Sequence, residues 1–198
     1  MTYEILVALV GFAFVSSITP GPNNLMLMAS GANYGFRRTF PHMLGISIGH
    51  SVMVTLVGLG LGQVFDAYPI TRLILQIGST AYLLYLTWKI ANAAPPSEGA
   101  AQGKPFTFMQ AAGFQWVNPK AWYMAIYAIT NYTPEDGGVW PTIIVALVFA
   151  CTNFPSIMVW ATLGTQVKRL LNRPRLLRAF NWTMAGLLVL TLYPVWFA

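Results

Sequence analysis

The sequence predicts an all-α integral membrane protein of about six transmembrane helices, arranged as a 3+3 inverted repeat in which helices one and four are broken. Three observations carry this expectation. Of the 198 residues 56% are hydrophobic and only 8% charged, where a soluble domain carries about 25% charge; a surface so poor in charge belongs in lipid. The apolar text falls into about six stretches, each near the roughly 20 residues that a spanning helix needs. Two of those stretches, half a chain apart, are interrupted by proline. The whole chain, 1–198, is then one transmembrane domain: a first three-helix repeat over 1–91, a cytoplasmic loop over 92–105 and a second repeat over 106–198.

The first segment runs from about Tyr3 to Ala32 and is broken at Pro20-Gly21-Pro22. The start Met1-Thr2-Tyr3-Glu4 has no basic n-region, so this stretch is expected to stay as a helix and not to be cleaved as a signal. The second, about Thr39 to Phe65, is rich in glycine, and the third spans about Pro69 to Ala91. Ala93 to Lys104 carries prolines, glycines, Glu98 and Gln102 and reads as a loop. The fourth segment, about Phe106 to Tyr132, is interrupted at Asn118-Pro119-Lys120; the fifth, about Trp140 to Val167, contains Pro155; the sixth runs from about Leu176 to Phe197.

Orientation follows from lysine and arginine. Arg37, Arg38, Lys89, Lys104, Lys168, Arg169, Arg173, Arg175 and Arg178, nine of the eleven basic residues, fall in odd-numbered loops. Arg72 alone lies in the opposite loops, with Glu4, Asp66, Glu135 and Asp136, and Lys120 sits within a span. Odd-numbered loops are expected in the cytoplasm and both termini in the periplasm. The net charge of +6 is thus ordinary membrane-loop chemistry, and nucleic acid is not an expected partner.

Three helices per half invert the second copy relative to the first. Pro20 and Pro119 lie 99 residues apart, and Gly78, Leu84, Tyr85 and Trp88 match Gly186, Leu192, Tyr193 and Trp196 at a constant offset of 108. Four matches in apolar text also arise by chance; with the paired breaks they suggest the repeat common in secondary transporters.

Four places carry chemistry. In Thr19-Pro20-Gly21-Pro22-Asn23-Asn24, two prolines around a glycine remove amide donors and unwind the helix. Unwound backbone inside a bilayer is tolerated where it is buried or lines a cavity; its freed carbonyls, with Asn23 and Asn24, suit a polar ligand, or the asparagines tie down a structural kink. In Asn118-Pro119-Lys120, proline suits the first turn of a half-helix whose positive end points into the membrane. Lys120 adds a full charge there, making a carboxylate site unless it snorkels to the cytoplasmic surface. Gly45 and Gly49 form a small-xxx-small face for close helix approach. His50, near mid-segment, is a proton-coupling candidate or a hydrogen-bonded structural histidine, and His42 reads as interfacial. In Thr152-Asn153-Phe154-Pro155, Asn153 faces a cavity or bonds another helix. Cys151 reads as a small core residue, with no disulfide or zinc pattern available to it. The aromatic residues, seven tryptophans among them, read as belt and packing groups.

Other classes find no support. Gly99-x-x-x-Gly103-Lys104-Pro105 is one residue short of a phosphate loop, lacks its Ser or Thr and precedes no α/β domain. Two histidines eight apart on one helix do not make a bis-histidine haem site, and no acidic residue lies clearly inside the membrane to build a cation channel or a carboxylate-dependent hydrolase. No enzyme, metal or cofactor is expected.

On these residues the chain resembles the lysine exporter superfamily, in the branch of homoserine, threonine and cysteine exporters. Thr19 to Asn24 is similar to that family's N-terminal signature; Gly35-Phe36-Arg37-Arg38 with Gly45 and Gly49 is similar to its run into helix two, and Asn118-Pro119-Lys120 to its fourth-segment signature. The resemblance spans essentially the whole chain, and Asn23-Asn24 with Phe106 to Lys120 is most similar to the cysteine/O-acetylserine subgroup. Many relatives have an acidic residue in helix two near the place of His50, so the coupling group here departs from the pattern. The resemblance implies proton-driven export of small amino acids across a bacterial inner membrane. A zwitterion would set its carboxylate at Lys120 and its ammonium on the carbonyls around Pro20 to Pro22, with Asn23, Asn24, Asn118 and Asn153 nearby. The competing reading is a membrane-embedded assembly or partner subunit without transport; homo-oligomerisation is left open.

Overall fold

The computed structural model describes residues 1–93, 104–134, 139–170 and 173–197. Most of the expected Ala93–Lys104 loop, with Glu98, Gln102 and the Gly99–Gly103 stretch, lies outside the described residues, as do Glu135 and Asp136. The described residues are all helical or irregular, with no strand among them.

Local chemistry sets the helix ends. Helix α1 (Tyr3–Ile18) begins at Thr2, whose hydroxyl accepts from the Ile5 amide, and stops because Pro20 forces Thr19 into extended backbone. Gly21 is extended too, and Pro22 opens α2 (Pro22–Tyr34) in the first-turn position where its missing amide costs nothing. The two helices meet at 51°. Helix α2 ends at Gly35, whose φ of 82° favours glycine, and α3 (Phe36–Gly58) starts at once. A 3-10 turn at Leu61–Gln63 and short α4 (Val64–Ala67) lead to α5 (Ile70–Ala91). Segment two therefore ends as a long helix seven residues before Phe65.

The fourth segment is broken as expected. Helix α6 (Phe108–Gln115) opens on a capping box between Thr107 and Gln110. The chain unwinds at Trp116 and Val117, and Asn118 caps α7 (Pro119–Tyr132) by accepting from the Lys120 amide at 3.2 Å. Helix α8 (Val139–Leu170) carries Pro155 without a break, and α9 (Pro174–Leu190) starts on another first-turn proline. Segment six is not one helix: a turn at Thr191 and Leu192 precedes α10 (Tyr193–Phe197), since the proline at 194 cannot continue a helix from before it. The Gly78–Trp88 pattern thus lies on one helix, and its counterpart at offset 108 crosses a turn.

Helix α8 is the central post, packed by α1, α2 and α3; α6 and α7 lie on α3, and α5 pairs with α9. Close approach uses glycine. A Cβ on Gly45 or Gly49 would strike Phe108 or Ala112 of α6, and one on Gly31 or Gly164 would strike the facing α2/α8 backbone. Among the described residues α3 and α8 are long and apolar enough to cross a membrane alone, and the bent α1/α2 pair makes a third candidate. The outer faces are apolar, with Val15, Ile48, Ile74, Trp88, Leu147 and Leu190 all exposed, whereas Asn24, Asn33, His50, Gln115, Asn153 and Asn181 are buried. That is the reverse of a water-soluble protein.

One sequence expectation is corrected. Cys151 is exposed: it lies two residues from buried Phe149 and Asn153, hence on the opposite side of α8. His42 is 2% exposed, roofed by Phe106 with ring centroids 5.2 Å apart.

Candidate functional site

The site is a polar layer between two apolar cores. Along α3, Met43 and Ile46 belong to one core, Met53 and Val54 to the other, and His50 lies between. Along α8 the order is Val145 and Phe149, Asn153, then Ile157 and Ala161. The broken segments repeat it: Leu9 and Ala13, then Ser17 and Asn24, then Met26 and Leu27; Ala111 and Phe114, then Gln115 and Asn118, then Ala121 and Met124. Four stretches of chain thus place polar side chains at one level, where burying them without partners is costly.

One pocket gathers most of the residues singled out from sequence: Gly21, Pro22, Asn23, Asn24, His50, Asn118, Lys120 and Asn153. Pro20 stands outside it and lines a larger apolar cavity of ≈ 950 Å³ that shares Gly21, Pro22, Asn118 and Lys120 with the pocket. The polar pocket leaves ≈ 20 Å³ for the centre of a water, room for about one water molecule and none for an amino acid.

Four helix ends meet here. The carbonyl ends of α1 and α6 bring partial negative charge, and the amide ends of α2 and α7 bring partial positive charge. Four of the carbonyls at the first break, those of Ser17, Ile18, Thr19 and Pro20, are engaged. Asn24 Nδ2 donates to Ser17 O and Thr19 O, each at 2.8 Å; Trp160 Nε1 donates to Ile18 O at 2.9 Å. Lys120 Nζ donates to Thr19 O at 2.9 Å and meets Pro20 O at 3.5 Å. Lys120 therefore neither snorkels away nor stands free for a carboxylate: its ammonium sits on the carbonyls expected to receive a ligand's ammonium.

The remaining polar groups tie the breaks together. Asn23 and Gln115 exchange hydrogen bonds, Nδ2 to Oε1 at 2.8 Å and Nε2 to Oδ1 at 3.2 Å, linking the first turn of α2 to the last residue of α6. Asn153 does both things open to it, lining the pocket and donating to Ser17 Oγ at 3.3 Å. Its Oδ1 and His50 Nε2 are buried with no partner among the described residues; His50 stands edge-on to Phe149 at 5.0 Å. Sequence reasoning missed Gln115, Ser17 and Trp160. Gln115, an uncharged polar residue in an otherwise apolar run three positions before Asn118, was the one with a signal.

Apolar outside, polar at mid-height and interrupted twice at that height, the molecule has the build of a membrane translocator. The chain belongs to the LysE type translocator family, which matches it over residues 14–192. It is 30% identical over 195 residues to a cysteine/O-acetylserine efflux protein of Klebsiella pneumoniae, covering 96% of this chain and 95% of that protein. The proteins of the same description from Escherichia coli and Shigella sonnei are 29% identical over 192 residues, covering 96% of each chain. No solved structure matches. The chain is a transporter and not an enzyme.

Proposed function

We propose that this translocator exports small amino acids across the bacterial inner membrane, with cysteine and O-acetylserine, named for its relatives, as the first substrates to test. The carrying observation is the meeting of two carbonyl helix ends, two amide helix ends and Lys120 at a small mid-height pocket. Such a set complements both charges of a zwitterion and leaves any side chain to the adjoining apolar cavity.

The transport cycle would rock two inverted three-span repeats about this layer: α1/α2, α3 and α5 against α6/α7, α8 and α9. Packing supports the repeat. Exchanging the halves turns α1 on α8 into α6 on α3, α2 on α8 into α7 on α3, α2 on α3 into α7 on α8, and α2 on α9 into α7 on α5; the pairs α3/α8 and α5/α9 map onto themselves. With the lysine and arginine asymmetry this favours six spans and both termini in the periplasm. His50, buried with one ring nitrogen unpartnered beside the pocket, is the candidate for proton coupling.

The test is efflux from proteoliposomes preloaded with radiolabelled cysteine or O-acetylserine under an imposed pH gradient. Gradient-stimulated efflux absent from protein-free vesicles is the expected result. No stimulated efflux of these or of a panel of other small amino acids would refute the reading.

A further inference from the structure

We propose that Lys120 is a tethered stand-in for the substrate's ammonium: in this closed state its Nζ fills the cation subsite, and an amino acid enters by taking over those carbonyls while Lys120 moves onto its carboxylate. The inference rests on the proposed amino-acid export and says how the same site chooses its cargo.

The subsite is built for a cation. Thr19 O and Pro20 O lie just past the carbonyl end of α1, where the macrodipole is negative and the break before α2 leaves them outside the helical ladder. Lys120 Nζ holds both, at 2.9 and 3.5 Å. Its stem lies across Gly21: a Cβ there would come within 2.9 Å of Lys120 Cδ and 3.1 Å of Nζ. Gly21 is in ordinary extended backbone, so glycine serves here to let the lysine pass.

The same geometry makes the hold exchangeable. Among the described residues the one ion pair is Arg72 with Asp66; Lys120 is held by neutral carbonyls and by no carboxylate. Thr19 and Pro20 are exposed, and Pro20 and Lys120 line the ≈ 950 Å³ cavity. A ligand in that cavity therefore reaches the ammonium and its acceptors together. Lys120 also walls the polar pocket, so its movement joins the two spaces.

Selection for a zwitterion follows. An amine without a carboxylate would evict the lysine and give its charge no partner in a mostly apolar cavity, which is costly. An acid without an amine would draw Lys120 away and leave the carbonyls without a cation, Thr19 O keeping only Asn24 Nδ2. An amino acid replaces each contact that it breaks.

Equilibrium binding to purified full-length protein in lipid nanodiscs tests this with cysteine and alanine and their decarboxylated counterparts cysteamine and ethylamine. Wild type is expected to bind the amino acids and to reject both amines. Lys120→Met, with Lys120→Gln as a second variant, vacates the subsite and should gain affinity for the amines by about 10-fold or more, the scale of one charge-assisted hydrogen bond, while losing affinity for the amino acids. A merely structural lysine would produce no gain. Folded variants without the gain overturn the inference while export stands. If neither variant folds, wild type decides: amine binding within about threefold of amino-acid binding overturns it, and rejection supports it. Wild type that binds and exports no small amino acid refutes the export reading, and this one with it.

Discussion

Asn23 and Gln115 offer a measurable coupling across the two breaks. Gln115 is fully buried and donates to Ala111 O at 2.9 Å as well as exchanging two bonds with Asn23. Asn23→Leu leaves Gln115 Oε1 without a donor, and Nε2 keeps Ala111 O. Gln115→Met strips Asn23 of both its bonds to this partner. Each single change should cost about 1–3 kcal/mol, the penalty for a buried group left unsatisfied. The double variant removes both ends of the pair and should cost less than the sum. Interhelical polar pairs in membranes couple by about 0.6 kcal/mol on average and about 1.7 at most. Two bonds argue for the upper part of that range and an adjacent space large enough for a water for the lower, so we expect about 1 kcal/mol. Reversible unfolding of the four proteins in mixed micelles measures it. Additivity within about 0.3–0.5 kcal/mol, the scatter of independent sites, would mean that the pair does not staple the breaks.

Pro20→Ala combined with Pro22→Ala should impair cysteine efflux while leaving membrane insertion intact, because a continuous helix would recapture the carbonyls that hold Lys120; normal efflux would make the break merely structural. Reporter fusions should place the C-terminus in the periplasm and the Pro95 region in the cytoplasm, and a cytoplasmic C-terminus would sink both topology and inverted repeat. His50→Gln should still bind cysteine but no longer follow an imposed pH gradient; a retained gradient response would dismiss the histidine as the coupling group.

What could be read from the chain and what could not divide by range of interaction. The breaks were legible because proline acts on its own helix: Pro20, Pro22 and Pro119 ended or opened helices where expected, and Asn118 capped α7 through its own side chain. The convergence of Asn23, Asn24, His50, Asn118, Lys120 and Asn153 on one pocket follows from placing polar residues at one depth in apolar segments. Partner choice was not legible, because it depends on rotation about each helix and on which ends face each other. The chain said that Lys120 was near a helix start and that carbonyls were free at another; only packing α7 against α1 showed that each satisfied the other. The same limit explains Cys151, whose face of α8 no run of apolar letters could specify.

The closed layer also bears on how a site can be both selective and willing to let go. Transport fails if the cargo is held too tightly, and a rigid, vacant set of charges would hold a zwitterion tightly. Here the donors and acceptors are already engaged with one another: Asn24, Trp160 and Lys120 on the α1 carbonyls, and Asn23 on Gln115. Under the proposed exchange, each contact that cargo makes replaces an internal one, so net affinity is the small difference of two similar sums while the wrong charge pattern meets the full cost of an unpaired group. Release then requires only that the internal bonds re-form. His50 Nε2 and Asn153 Oδ1 are the exceptions, buried in the layer without partners. Their unmet hydrogen-bonding capacity is where the empty and loaded states can differ in free energy, and where a proton or a single water can bias the exchange without strengthening the grip on the cargo.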